Sequence, residues 1–156
     1  MASSGRLVPM AEGNHRPRIL TDDRQTAPLP TAELEALAAQ TLLGEGVSRA
    51  ELSLSFVTED EIAELHERYL HEPGPTDVLS FPLEETDVDE DGVRILGDVV
   101  IAPAVAERNN PDDRDGELRL LVVHGILHLL GHDHQEDAEK TDMWAKQQRY
   151  TGIRVR

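Results

Sequence analysis

Four of the seven histidines of this chain lie in one segment, HGILHLLGHDH, which runs from His124 to His134. The residues around them are leucine, isoleucine and valine, so that apolar side chains occupy nearly every side of the segment 117–130. This pattern predicts a helix buried in the middle of a domain, ending at Gly131. A small chain can bury such a helix only by covering it on most sides, which constrains the fold more than any other feature.

The spacing of the histidines predicts a metal site. His124 and His128 are four residues apart, so on a helix they project from one face and can bind the same ion. On a continued helix His132 would lie about 12 Å along the axis from His124, too far to share that ion. Because Gly131 lets the chain turn back, His134 is the predicted third ligand. Three protein ligands leave one position for water, which is typical of catalytic zinc.

The alternative is that these histidines are ordinary polar residues near a helix end. In that case we expect two imidazoles to lie unpaired among apolar side chains, at a cost of roughly 1–3 kcal/mol each. The chain contains no cysteine, so a transition metal would be held by imidazole and carboxylate groups. We therefore predict one Zn²⁺ per chain.

The same spacing is found in the metzincin protease motif H-E-x-x-H-x-x-G-x-x-H. The glutamate that serves those proteases as general base corresponds here to Gly125, which has no side chain. The sequence therefore disfavours peptide hydrolysis by that mechanism.

The remaining sequence patterns predict an α+β fold, a small mixed sheet covered by helices, with the buried central helix carrying the metal-binding motif. Helical periodicity and capping signals alternate with short apolar runs along the chain. The predicted helices are 31–43, 58–70, a short one from Pro103, 117–130 and 137–149, and the predicted strands are 51–57, 78–83 and 95–102.

The length of 156 residues predicts one domain, which we place at 17–156 as a metal-dependent hydrolase domain. Residues 1–16 lack periodicity and are expected to be a disordered lead-in. They contain no apolar core typical of a signal peptide, and the apolar run 118–130 is shorter than the roughly 20 residues that span a bilayer. We expect no membrane association, and the absence of cysteine fits the reducing cytoplasm.

The formal net charge of −16 argues against non-specific attraction to nucleic-acid phosphates. An enzyme acting on nucleic acid with this charge would have to concentrate its few cations locally, or rely on a metal and a basic partner. Charge alone therefore does not favour nucleic acid as the substrate.

Two further segments, PGPTDVLSFP at 73–82 and LGDVVIAP at 96–103, accompany HGILHLLGHDH. Together the three resemble the YbeY family of bacterial rRNA maturation endoribonucleases. The resemblance implies one zinc on His124, His128 and His134, and single-strand-specific RNA cleavage in the cytoplasm. It also implies a role in 16S rRNA 3′-end maturation and ribosome quality control, with ribosomal RNA, ribosomal proteins or an assembly GTPase as partners.

The chain departs from the family pattern at two positions. The family commonly has arginine directly after the aromatic residue that precedes the PTDVLSFP segment, whereas here Leu70 follows Tyr69. Arg68 and His71 are candidates to replace that arginine. The family also usually has an aromatic residue where this chain has His132.

Under the endoribonuclease interpretation, zinc would polarise a phosphoryl oxygen and lower the pKa of water towards about 7. Asp133, Asp98 and Asp77 are candidate proton acceptors, each of which could equally be structural. Thr76 and Ser80 could bind phosphate or could cap turns around a strand. Two other functions stay open, a zinc peptidase and a ribosome-assembly binding protein whose metal is structural.

Overall fold

A computed structural model of the protein describes residues 16–74, 76–83, 88–132 and 137–152, with the backbone alone for 137–140. This part of the chain forms four strands and five helices. The strands are β1 (Arg18–Asp23), β2 (Ala50–Phe56), β3 (Val78–Pro82) and β4 (Arg94–Ile101). The helices are α1 (Thr31–Gly44), α2 (Glu59–Leu70), α3 (Pro103–Asn109), α4 (Arg114–Leu129) and α5 (Asp137–Thr151).

The four strands form one mixed sheet in the order β1-β2-β4-β3. Neighbours β1, β2 and β4 run parallel, and β3 pairs with β4 in the antiparallel direction. Strand β2 alternates as predicted, with Leu52, Leu54 and Phe56 fully buried and Ser53 and Ser55 on the opposite face. The predicted α+β class with a small mixed sheet is therefore confirmed.

Helix α4 is the buried central helix that the sequence predicts. One side packs on the sheet through residues that include Leu118, Val122 and Ile126. The other side contacts α1 and α5, where Val123 and Leu127 pack with Leu37, Met143 and Tyr150. The helix begins three residues earlier than predicted, because the Asp113 side chain caps it by accepting a hydrogen bond from the Gly116 N–H.

The opposite face of the sheet carries α2 and α3. Ile62 of α2 and Val105 of α3 pack there against Leu79 and Val100 of the sheet. Helix α2 begins where the sequence indicates, since the Thr58 hydroxyl accepts a hydrogen bond from the Glu61 N–H at 3.2 Å. The sheet thus separates two layers of helices, with α4 and α5 on one side and α2 and α3 on the other.

Strand β1 has no counterpart in the sequence-based prediction. It lies at the edge of the sheet, where only Ile19 packs against the main core and most of its residues are exposed. Its pairing with β2 is made by backbone hydrogen bonds, which leave little trace in the side-chain pattern. The predicted lead-in, apart from Arg16, lies outside the described residues. Among the described helices, none has the length and apolar character needed to cross a membrane.

Gly125 lets α4 lie close to the sheet. A methyl group built on Gly125 would lie 2.6 Å from Val99 Cγ1 and 3.2 Å from Val78 Cγ2. The same geometry shows that a side chain at position 125 would point into the sheet.

We expect Gly125→Ala to lower the free energy of unfolding by about 1–3 kcal/mol through overpacking. Chemical denaturation of the purified variant measures this change. In the double variant Gly125→Ala/Val99→Ala the loss should be smaller than the sum of the single losses, because Val99 is the nearest obstacle. Additive losses would contradict the contact.

Candidate metal centre

His124 and His128 lie on the same face of α4, as their spacing predicts. Their ring centroids are 6.3 Å apart and the ring planes are inclined by 20°. His124 is partly buried and His128 is exposed. The two imidazoles are therefore close neighbours near the surface, at the C-terminal half of the buried helix.

Each ring has its Nδ1 atom on an oxygen acceptor. His124 Nδ1 lies 2.6 Å from Oε1 of the buried Gln147 on α5, and His128 Nδ1 lies 3.2 Å from the His132 carbonyl oxygen. Because these oxygens only accept hydrogen bonds, the proton of each neutral ring belongs on Nδ1 and the lone pair on Nε2. Metal-binding histidines usually have this arrangement, with the second nitrogen held by the protein.

The argument that, without a metal, both imidazoles would lie unpaired among apolar side chains does not hold for their Nδ1 atoms. Helix α4 directs its leucine, isoleucine and valine residues towards the sheet and α5, while its histidines lie along a stripe between those two contacts. There they meet the polar groups of Gln147 and of the His132 backbone. The tautomers and the fixed orientations of the two imidazole rings therefore favour a metal, rather than any cost of burying those rings.

A cleft of about 210 Å³ lies beside His124. Its polar lining includes Asp77, Glu117 and Gln147. Glu117 is buried and precedes His124 by seven residues, which is two helical turns on the same face of α4. Glu117 and Gln147 were not among the predicted site residues. The spacing of seven could have revealed Glu117, whereas Gln147 is brought in by the packing of α5.

The proposed third ligand, His134, lies outside the described residues, and so does Asp133. Within the ranges that the structure describes, no group of three histidine, aspartate or glutamate side chains could hold a metal ion. His132 has its Nε2 atom 3.0 Å from Glu45 Oε1. The set His124, His128 and His134 stays a prediction.

Glu45, the residue that follows α1, has a side chain that is only 8% exposed and three partners among the described residues. Lys146 Nζ donates to Oε1 at 2.8 Å, the Tyr150 hydroxyl donates to Oε2 at 2.6 Å, and His132 completes the set. Burial by itself raises the pKa of Glu45, but hydrogen bonds from Lys146, Tyr150 and His132 outweigh it and lower the pKa from 4.5 to about 2. Burial and the contact with Glu45 raise the pKa of Tyr150 to about 12.

This lowered pKa predicts a loss of stability in acid. Because Glu45 titrates lower in the folded than in the unfolded protein, its stabilisation is complete above pH 4.5 and is lost as the pH falls towards 2. The loss is at most about 3 kcal/mol. Urea unfolding at pH 5 and pH 3 should show a smaller decrease for Glu45→Gln than for the unsubstituted protein. Equal decreases would contradict the prediction.

Of the two residues predicted to bind phosphate, Ser80 contacts helix α4 and Thr76 is next in sequence to the cleft residue Asp77. The Ser80 hydroxyl donates to the Gly125 carbonyl oxygen at 2.9 Å, which ties β3 to α4. Thr76 immediately precedes Asp77, whose carboxylate accepts a hydrogen bond from Asn109 at 3.2 Å. Ser80 thus has a structural contact with α4.

Two other candidate residues lie away from the cleft. Arg68 is on α2, on the opposite face of the sheet, where it forms an ion pair with Glu64. Asp98 belongs to that face as well, since it alternates with Val99 along β4 and lines a separate cleft near Tyr69. Burial raises the pKa of Asp98, and its hydrogen bond with Ser53 opposes this. Neither residue shares the cleft of His124.

The end of α2, where Leu70 stands in the position of the family's arginine, exposes apolar side chains. Leu70 is 49% exposed, and the neighbouring Tyr69 is 56% exposed. His71 ends the helix in the left-handed conformation, with φ of 58°. An exposed apolar surface therefore occupies the end of α2, where the family pattern has a cation.

Comparison with known proteins gives consistent matches. The family model described as "Endoribonuclease YbeY" matches residues 19–152. Among relatives with that same name, one from Acidothermus cellulolyticus is 50% identical over 63% of this chain and 66% of its own length. Another, from Thermobifida fusca, is 44% identical over 81% of each chain.

One solved structure, the solution structure of TM1509 from Thermotoga maritima, is 33% identical with a TM-score of 0.58. The match covers 86% of each chain. This chain spans 58–66% of the length of several of its relatives. Because the family model covers most of the chain, this protein belongs to the family described as Endoribonuclease YbeY.

Proposed function

We propose that this chain is a zinc-dependent endoribonuclease specific for single-stranded RNA. The observation that carries the proposal is the arrangement on α4, where two imidazoles with their Nδ1 atoms held by the protein lie beside a cleft that contains a buried carboxylate. The family membership supplies the substrate class. Cleavage during 16S rRNA 3′-end maturation and ribosome quality control, in the cytoplasm, is part of the proposal.

The residues present fit a zinc ion. His124 and His128 offer Nε2 lone pairs from one helix face, and His134 would be the third ligand. When bound, zinc would act as a Lewis acid towards a phosphoryl oxygen and lower the pKa of water.

The chain's own residues would perform the other tasks. Gln147 fixes the tautomer and orientation of His124, and the His132 carbonyl does the same for His128. Glu117 and Asp77, which line the cleft, are the candidates to accept a proton from water. Of the two, Glu117 is the more buried and lies on a rigid helix, so we assign it this role.

The charge of the chain bears on its partners. The net charge is −16 and the cleft is lined by Asp77 and Glu117, so the protein alone attracts phosphate weakly. A metal in the cleft and a basic partner would supply the missing positive charge. Within our proposal the substrate is ribosomal RNA, and the partners are ribosomal proteins or an assembly GTPase.

A ribosome-assembly binding protein with a structural metal is the second candidate. The exposed Tyr69 and Leu70 favour it, because they offer apolar surface where the family pattern has an arginine. A peptidase is disfavoured, since position 125 faces the sheet and a glutamate there would not enter the cleft.

The test is RNA cleavage by the purified protein after zinc loading, after chelation and after zinc is restored. We expect one zinc per chain and cleavage of single-stranded RNA that disappears with the metal and returns with it. His128→Ala should lose the zinc, and His132→Phe should keep it at saturating metal. Zinc binding without RNA cleavage would favour the binding-protein candidate, and cleavage by fully metal-free protein would exclude the proposed mechanism.

A further inference from the structure

The contacts of Glu45 connect three parts of the chain. The carboxylate belongs to the residue that follows α1, Lys146 and Tyr150 belong to α5, and His132 lies after the end of α4. We refer to Glu45, His132, Lys146 and Tyr150 as the Glu45 cluster. Glu45 is separated from the other three members by 87 to 105 residues of sequence.

The side chains of the Glu45 cluster are largely shielded from solvent, unlike those of a surface ion pair. The Glu45 side chain is 8% exposed, and those of Lys146 and His132 are 21% and 24% exposed. Gly44 leaves space for the Tyr150 ring, because a methyl group at position 44 would lie 2.4 Å from that ring. A carboxylate this buried requires donors, and here each of its oxygens has at least one.

His132 is held at its side chain by the other members of the cluster and at its backbone by the end of α4. A carboxylate oxygen only accepts, so the His132 Nε2 atom, 3.0 Å from Glu45 Oε1, carries the proton that it donates to Glu45. Lys146 Nζ, which lies 3.4 Å from that same Nε2 atom, donates to Glu45 at the shorter distance of 2.8 Å. The His132 N–H donates to the Leu127 carbonyl oxygen at 3.0 Å. Its own carbonyl oxygen is the acceptor for His128 Nδ1.

The orientation of His128 therefore depends on where His132 is held. On α5, Gln147 contacts His124 while the adjacent Lys146 contacts Glu45, so a single helix supports both imidazoles. The support of His124 is direct. The support of His128 passes through the Glu45 cluster.

We propose that Glu45 is a positioning residue for the metal site: by holding His132, it fixes the carbonyl group that orients His128. This rests on the proposed function, in which His128 binds zinc. The support passes through His132, which is not one of the proposed ligands. It makes zinc affinity depend on a carboxylate of α1 that is not itself a ligand.

Two measurements on Glu45→Gln and His132→Phe test the proposal. The first is zinc affinity by competition with a chelator, for which we expect a weakening of about 10- to 100-fold with one zinc still bound at saturation. The second is the ¹⁵N spectrum of the metal-free protein, where the Nδ1–H tautomer of His128 should predominate only with the cluster intact. Glu35→Gln, an acid on the same helix that contacts Thr21, is the matched control for affinity.

The double variant Glu45→Gln/His132→Phe should bind zinc no more weakly than the single variant of lower affinity, because both substitutions break the same connection. Unchanged affinity and unchanged His128 tautomer in the two folded single variants would overturn the role of Glu45 and leave the proposed function standing. Failure of the unsubstituted protein to bind zinc through His124 and His128 would overturn both.

Discussion

Replacing His124 by alanine is expected to reduce RNA cleavage below detection. His124 is one of two imidazoles on the helix face beside the cleft, and the buried Gln147 holds its Nδ1 atom. Removing a zinc ligand removes the group that activates water and leaves the remaining ligands too few to bind the ion tightly. Cleavage of single-stranded RNA, with zinc content measured on the same sample, reports both losses.

Gln147→Leu provides a graded comparison. It keeps both imidazoles but removes the acceptor that orients His124, for which a loss of about 10- to 100-fold in zinc affinity or activity is expected. Both variants must be shown to fold by circular dichroism and thermal melting, because His124 and Gln147 join α4 to α5. A folded His124→Ala variant that cleaves RNA at the unsubstituted rate would show that the activity lies elsewhere.

The sequence was sufficient to predict the central helix and the pairing of its first two histidines. Both depend on local spacing, since apolar residues on nearly every side of 117–130 require burial and a separation of four places His124 and His128 on one face. Strand and helix positions followed in the same way. Edge strand β1 could not be predicted in this way, because its residues are mostly exposed and its pairing is made by the backbone.

The partners of the histidines could not be predicted from spacing. Gln147 is 23 residues from His124, and Glu45 is 87 residues from His132. Their contacts exist because α5 and the end of α1 pack against the same side of α4, which only the folded chain shows. Glu117 was not among the predicted proton acceptors, which were Asp133, Asp98 and Asp77.

Glu117→Gln is expected to lower the rate of RNA cleavage by about 10²–10⁴-fold while zinc content stays at one per chain. Glu117 is buried on the same face of α4 as His124, two turns earlier, so about 10 Å along the helix axis separates the two residues. A glutamate side chain together with the reacting phosphodiester and a water can occupy that distance.

Asp77 is a weaker candidate for this role. It lies in the same cleft but in the connection that leads into β3, and its carboxylate already accepts a hydrogen bond from Asn109. We therefore expect Asp77→Asn to leave measurable cleavage. Asp115→Asn, which changes an acid on the exposed side of the first turn of α4, is the matched control and should cleave at the unsubstituted rate.

The dependence of the rate on pH distinguishes proton transfer from a structural role of Glu117. A general base acts only when it is ionised, so cleavage by the unsubstituted protein should decrease on the acid side of its pH profile. Because glutamine does not titrate, the Glu117→Gln variant should lack this acid limb, whereas a change that merely disturbed packing would lower the rate equally at every pH. Loss of zinc from the variant would instead indicate that Glu117 holds the metal site together, and a rate within about threefold of the unsubstituted protein would exclude it as the main proton acceptor.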